Sequence, residues 1–293
     1  MNGVCLQKVF SLFIISTICV CGAGTMGSGI AQVAAQSAYT VILFDVNERS
    51  LLKAKIAIRN SLQKSAEKKK INEHEKEATM GRIHFTSHII DCSADLIIDA
   101  IIENKAAKID LFSQLSDINN DNTIFATNTS SLSVTDIASA VKYPFRVLGM
   151  HFFNPAPAMK LVEIVRGAQT DEGVIDTVIS VVKQMHKLPV VCKDQPGFIV
   201  NRVARQYYLE AMKILETGFT DVENIDSIME ASGFKIGPFR LIDLIGMDIN
   251  YSVSNMLWES SGKPERLVPS AIQKEKIMNG EFGRKTGKGF YKY

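Results

Sequence analysis

Two side chains stand out for the chemistry they could do together. Residues 147–166 read VLGMHFFNPAPAMKLVEIVR. Val147, Leu148 and Met150 lead into His151, and Pro155 and Pro157 then exclude helix and force an extended turn. Beyond the turn, Leu161, Val162, Ile164 and Val165 surround a single acid, Glu163, with Leu161 and Val165 on its face of the chain and Val162 and Ile164 on the other. A run that is apolar on both faces is a buried strand, and a carboxylate inside one is costly unless something pairs with it. The turn folds one strand back beside the other, which makes His151 the natural partner. A buried imidazole–carboxylate pair is a tuned general base. A purely structural ion pair is the alternative, and this stretch alone does not separate the two.

A second constellation lies nearer the N-terminus. An apolar strand at 17–21 runs into Gly22-Ala23-Gly24-Thr25-Met26-Gly27, which opens a helix reaching residue 36. The next strand, 41–44, ends in Asp45. A GxGxxG pattern is weak evidence alone, but after a strand, before a helix and with an acid closing the following strand it is the dinucleotide fingerprint. Gly22 permits the tight turn, Gly24 lets a pyrophosphate approach the backbone, and Gly27 lets the helix pack close to the strand. The helix N-terminus offers N–H groups and the positive end of its dipole to the phosphates. Asp45 would hydrogen-bond the adenosine ribose and repel a 2′-phosphate, which favours NAD over NADP.

The elements that must position these groups follow in order. Residues 48–76 read as one helix rich in Lys and Arg, with Leu51, Leu52, Ile56 and Leu62 at helical spacing. Short strands are expected at 83–87, 96–102, 123–127 and 189–192, with helices at 105–115, 135–140 and 170–185. Ligands bind at the carboxyl ends of strands in open α/β sheets, so Glu103 and the polar cluster 128–131, which contains Ser130, occupy favourable positions. The strand–helix alternation stops at 193–195. Helices are then expected at 196–216, with Pro196 at its first position, and at 221–231, 247–258 and 270–278. The expected architecture is therefore α/β, with a Rossmann-type dinucleotide-binding domain over 1–193 and a smaller all-α domain over 194–293. Asn201 falls early in the first helix of the second domain, close to the linker, and clefts between domains are the usual home of substrates.

The bulk properties narrow the class. The chain has 293 residues, 46% of them hydrophobic, and a net charge of +2. It is long enough for substantial cores and shows no nucleic-acid footprint. Five scattered cysteines form neither a metal motif nor a disulfide framework, which points to a reducing, cytoplasmic setting without metal. The apolar run at 9–20 is too short to span a bilayer, so no membrane partner is expected. It leads straight into the first strand, and residues 1–13 are an extension without an assigned role.

Together these residues resemble the L-3-hydroxyacyl-CoA dehydrogenase family, and the short-chain 3-hydroxybutyryl-CoA dehydrogenases most of all. The resemblance runs from about residue 17 to 293 and rests on GAGTMGSGIAQ (22–32), NTSSLS (128–133), GMHFFNPAPAMKLVEIVRG (149–167), PGFIVNR (196–202), GPFRLIDLIGMD (237–248) and GRKTGKGFYKY (283–293). It implies NAD-dependent, reversible oxidation of a (3S)-3-hydroxyacyl-CoA, 3-hydroxybutyryl-CoA foremost, with His151 as base, Glu163 as its orienting carboxylate, and Ser130 and Asn201 around the reacting oxygen and thioester. It also implies that Glu103, Lys108, Asn154 and Lys285 touch NAD, that Ser61 and Lys68 touch coenzyme A, and that the protein is a homodimer formed through its C-terminal domain. Departures from the family pattern are the extension before the first strand, Ala38, where a helix-ending glycine is common, and Lys235, where a proline is. Two rivals remain: a dehydrogenase of a free hydroxy acid or sugar acid on the same fold, and a non-catalytic structural protein of the lens-crystallin kind.

Overall fold

The computed structural model describes residues 14–139 and 141–293. The extension expected at 1–13, and the end of the helix expected to reach 140, lie outside the described residues. The chain divides after Asp194 into two compact units.

The first unit is built on alternating strands and helices. They run β1 (Thr17–Cys21), α1 (Thr25–Gln36), β2 (Thr40–Phe44), α2 (Glu48–Glu67), α3 (Glu73–Gly81), β3 (Ile83–Thr86), β4 (Leu96–Asp99), α4 (Lys105–Ile118), β5 (Ile124–Thr127), α5 (Val134–Ala138), β6 (Val147–Phe152), β7 (Leu161–Arg166), α6 (Glu172–Gln184) and β8 (Leu188–Lys193). The eight strands form one sheet in the order β3-β2-β1-β4-β5-β6-β7-β8. All pairs from β3 to β6 are parallel, so the carboxyl ends of β1, β2, β4, β5 and β6 share one edge. Only β6 and β7 pair antiparallel, as a two-proline turn between them requires. The central strands are buried on both faces, which explains their unbroken apolar sequences.

Three local expectations are corrected. The helix expected over 48–76 is two helices, α2 and α3. Lys69 takes a left-handed conformation (φ 54°), and Asn72 starts α3 with a reciprocal capping box to Glu75. Within α2 the buried stripe is Leu51, Ala54, Ile58 and Leu62, whereas Leu52 and Ile56 are exposed. The strand expected over 96–102 stops at Asp99, whose carboxylate Oδ1 accepts the Ile101 N–H at 3.0 Å and turns the chain. Ala38 ends α1 with φ 68°, a backbone conformation that costs about 1 kcal/mol for a residue with a Cβ.

The second unit is helical: α7 (Val200–Glu216), α8 (Val222–Ala231), α9 (Pro238–Ile245), α10 (Met247–Ser260) and α11 (Ala271–Met278). α7 begins four residues later than Pro196 suggests. Gly197 (φ 73°) and Phe198 (φ 47°) are left-handed, so a turn precedes the helix. α9 was not among the expected helices; Pro238 opens it, and Asp226 accepts the Phe239 and Arg240 N–H groups at 2.9 and 3.0 Å. Phe239, Ile242, Met212, Met247 and Leu267 centre this unit's core. No described helix is long and apolar enough to cross a membrane.

Candidate active site

The glycine loop leaves β1 at Gly22, whose φ of 105° and closeness to the Ala100 carbonyl (2.6 Å from a hypothetical Cβ) exclude any side chain. A Cβ on Gly27 would lie 1.7 Å from the Gly22 carbonyl oxygen, so helix and loop touch directly. Gly24 differs: nothing lies within 4 Å of its hypothetical Cβ. That open space sits at the N-terminus of α1, where Gly24 and Thr25 are exposed, Met26 is partly buried against the core and Ala23 is buried. Asp45, at the carboxyl end of β2, accepts the Ala23 N–H at 2.7 Å and the Asn47 N–H at 2.9 Å. The carboxylate thus ties the loop to the second strand. This is a cradle that the pyrophosphate and ribose of a dinucleotide fit.

On the same sheet edge, beyond β4 and β5, a polar cluster converges on Glu103. Its Oε1 accepts hydrogen bonds from the Thr129 hydroxyl (2.6 Å), the Ser130 N–H (2.9 Å) and the hydroxyls of Ser131 (2.9 Å) and Ser130 (3.2 Å). Partial burial opposes ionisation of Glu103, but these donors and the Lys108 ammonium outweigh it and hold its pKa below the ordinary carboxylate value. Lys108 itself is fully buried: its Nζ is 2.8 Å from Asp99 and 3.6 Å from Glu103. Thr127 completes the Asp99 site with a hydroxyl donated at 2.8 Å. The contacts of Lys108 are therefore to these two acids, and Glu103 is the member of the group that reaches the surface.

His151 and Glu163 face each other across the β6–β7 ladder, directly opposed in register. Nδ1 of His151 lies 2.7 Å from Glu163 Oε2; the residues are 6% and 1% exposed. Nδ1–H donating to the carboxylate places the basic lone pair of the neutral ring on Nε2. The Phe153 ring packs against the imidazole with centroids 4.5 Å apart. Asn128, at the end of β5, accepts the Phe152 N–H at 2.8 Å and so fixes the backbone next to His151. In the sequence Asn128 is legible only as a member of a polar cluster; its position one residue past a strand end is the signal for this task. Asn154 is exposed in the turn that follows, which packs on α1: Ala156 and Pro157 approach within 3.2 Å of where a Cβ on Gly29 would be.

Ser61 and Lys68 line a groove of about 530 Å³ between α1, α2 and that same turn. Lys64 and Lys70 line it too, and among the described residues no carboxylate does. A cationic groove of this kind suits a ligand bearing phosphates. In the helical unit, Asn201 is the second residue of α7 and half-buried, and Lys285 forms an ion pair with Asp248 at 2.5 Å. Among the described residues, no group of His, Cys, Asp and Glu is arranged to hold a metal, and Cys19, Cys21, Cys92 and Cys192 are free thiols.

A dinucleotide cradle and a buried proton-handling pair on one edge of a parallel sheet define an NAD-dependent oxidoreductase of the Rossmann class. Residues 17–195 match the NAD-binding domain of 3-hydroxyacyl-CoA dehydrogenase and residues 197–293 match its C-terminal domain, and the chain belongs to that family. It is 41% identical over 279 residues to the 3-hydroxyadipyl-CoA dehydrogenase of Escherichia coli K12, covering 94% of this chain and 59% of the relative's length. It is 39% identical to the mitochondrial hydroxyacyl-coenzyme A dehydrogenase of Sus scrofa, covering 96% of this chain and 92% of that one. The crystal structure of (S)-3-hydroxybutyryl-CoA dehydrogenase from Ralstonia eutropha superposes with a TM-score of 0.92 at 36% identity, covering 96% of this chain and 99% of that one.

Proposed function

We propose that the protein interconverts (3S)-3-hydroxyacyl-CoA and 3-oxoacyl-CoA thioesters, with 3-hydroxybutyryl-CoA the foremost substrate. The observation that carries this reading is the buried His151–Glu163 pair at the same sheet edge as the glycine loop. NAD+, held by the glycine loop and Asp45, would supply the hydride acceptor for C3 of the substrate. His151, in the tautomer set by Glu163, takes the proton of the 3-hydroxyl at Nε2, and the carboxylate stabilises the imidazolium that results. In the reverse direction the imidazolium returns that proton to the 3-oxo oxygen. Gly22–Gly27 and Asp45 bind the dinucleotide, with Glu103, Lys108, Asn154 and Lys285 completing its surroundings. Ser130 and Asn201 hold the reacting oxygen and the thioester. Ser130 would turn its hydroxyl from Glu103 to the substrate, a small exchange because the present bond is long, at 3.2 Å. Ser61 and Lys68 bind coenzyme A in the cationic groove, a reading supported by Lys64 and Lys70, which line it as well.

The protein works as a homodimer through its helical unit, in a reducing compartment such as the cytoplasm. Leu244, Ile245 and Ile249 are exposed there, an apolar surface that a second copy would cover. The functional reading is tested by following NADH oxidation with acetoacetyl-CoA and with free acetoacetate at equal concentration. Rapid turnover of the thioester alone is expected. Equal rates would favour a hydroxy-acid dehydrogenase, and no turnover of either would favour a structural protein.

A further inference from the structure

The turn that joins the catalytic strands is rich in proline and poor in hydrogen-bond donors. Pro155 and Pro157 have no N–H, and the N–H groups of Ala158 and Met159 both go to the Pro155 carbonyl at 3.0 Å. Three other carbonyls of the turn converge on one point, and Lys187 fills it. Its ammonium donates to Ala156 O at 2.7 Å, Met159 O at 2.8 Å and Pro157 O at 3.2 Å. An ammonium has three protons, so the site is saturated. Burial pushes the Lys187 pKa below its ordinary value, and the bonds to carbonyl oxygens supply no compensating charge.

This cage holds a turn with two neighbours. On its inner side Ala156 is 2% exposed and packs with Pro157 on Gly29 of the cofactor helix α1. On its outer side Pro157 and Ala158 form the wall of the cationic groove opposite Ser61, Lys64 and Lys68. The reacting pair does not depend on it: His151 and Glu163 are fixed by direct ladder pairing and their own hydrogen bond. We infer that Lys187 is a positioning residue for the coenzyme half of the substrate, setting the groove wall through three main-chain carbonyls while leaving the redox centre alone. The inference rests on the coenzyme A reading of that groove given above.

The test is steady-state kinetics with NADH on the full-length enzyme and Lys187→Met. The substrates are acetoacetyl-CoA and the acetoacetyl thioester of N-acetylcysteamine, which lacks the nucleotide half. The expected result is a rise of about tenfold in KM for acetoacetyl-CoA with kcat within about twofold, since loss of uniform binding affects KM alone. kcat/KM for the truncated thioester stays at the wild-type value, and Lys187→Arg, which keeps charge and donors, recovers most of the loss. Unchanged NADH affinity, read by fluorescence titration, shows that the variant is folded. If Lys187→Met does not fold, Ala158→Asp sets a negative charge on the same wall and is expected to raise KM for the coenzyme A substrate only. A fall in kcat on both substrates, or no change on either, overturns the inference, as does an Ala158→Asp enzyme with unaltered KM. A wild-type enzyme that does not prefer acetoacetyl-CoA over the truncated thioester overturns the coenzyme A reading of the groove itself.

Discussion

Among the described residues each unit buries two carboxylates, and the two units satisfy them in different ways. In the sheet unit, Glu163 faces the His151 imidazole and Asp99 faces the Lys108 ammonium, both within 2.8 Å. In the helical unit, main-chain N–H groups and tyrosine hydroxyls do the work. Asp226 caps α9 and accepts the Tyr291 hydroxyl at 2.7 Å, with the Arg240 guanidinium further off at 3.8 Å. Asp243 accepts the Phe290 and Tyr291 N–H groups at 3.0 and 2.9 Å and the Tyr293 hydroxyl at 3.2 Å. An imidazole can exchange a proton near neutral pH; a main-chain N–H cannot give its proton up, and a tyrosine hydroxyl gives it up only in alkali. The sheet unit therefore carries, in Glu163, an acid whose partner can handle a proton, and the helical unit carries acids that hold its C-terminal segment in place.

The largest effect expected from this contrast is on stability. Lys108→Met leaves Asp99 buried without its cation, and breaking such a pair costs about 3–5 kcal/mol. A urea titration is expected to show that loss, or no folded protein at all; a midpoint near that of the wild type would mean that Thr127 and the Ile101 N–H suffice for Asp99. Next comes Asp243→Ala, which strands two N–H groups and a hydroxyl. A loss of about 3 kcal/mol is expected in the same titration, with kcat per folded molecule unchanged. A large fall in kcat would blur the division between the two kinds of acid.

Glu163→Gln keeps a hydrogen-bond acceptor for His151 but removes the charge that stabilises the imidazolium. Turnover of acetoacetyl-CoA is expected to fall about 10²-fold while NADH affinity holds. The smallest effect concerns Tyr291, whose pKa is raised above the ordinary 10.0 by burial and by its bond to Asp226. A raised folded-state pKa gives stability that is complete below pH 10 and is lost as the pH climbs toward the folded value. Tyr291→Phe is expected to cost about 1.5 kcal/mol at pH 8, and the gap from wild type narrows at pH 11. A constant gap would mean that the hydroxyl does not titrate differently in the fold.

Sequence alone revealed the parts of the site that are local in the chain. The glycine loop, the acid closing β2 and the facing of His151 and Glu163 all follow from short-range pattern: alternation, a proline turn, a strand before and a helix after. Contacts between distant segments stayed hidden. Nothing near Asn128 announces that its side chain meets the Phe152 N–H, and nothing near Lys187 announces a cage of carbonyls about thirty residues earlier. Lys108 enters the sequence reading as an expected cofactor contact only through family resemblance, and its burial against Asp99 needed the fold. Other misses were avoidable. The Asn72-x-x-Glu75 capping box lay in plain sight inside what periodicity reads as one helix. Pro196 has the chemistry of a helix start, but the left-handed Gly197 and Phe198 that follow it delay α7 to Val200.

The proposed mechanism turns on whether the imidazole at 151 handles the proton. The direct measurement is a single-turnover experiment with His151→Gln, mixing enzyme–NADH with excess acetoacetyl-CoA and following loss of NADH absorbance. The rate is expected to drop at least about 10²-fold while NADH binds with wild-type affinity. Hydride transfer at an undiminished rate would remove His151 from the chemistry and leave its pairing with Glu163 as architecture.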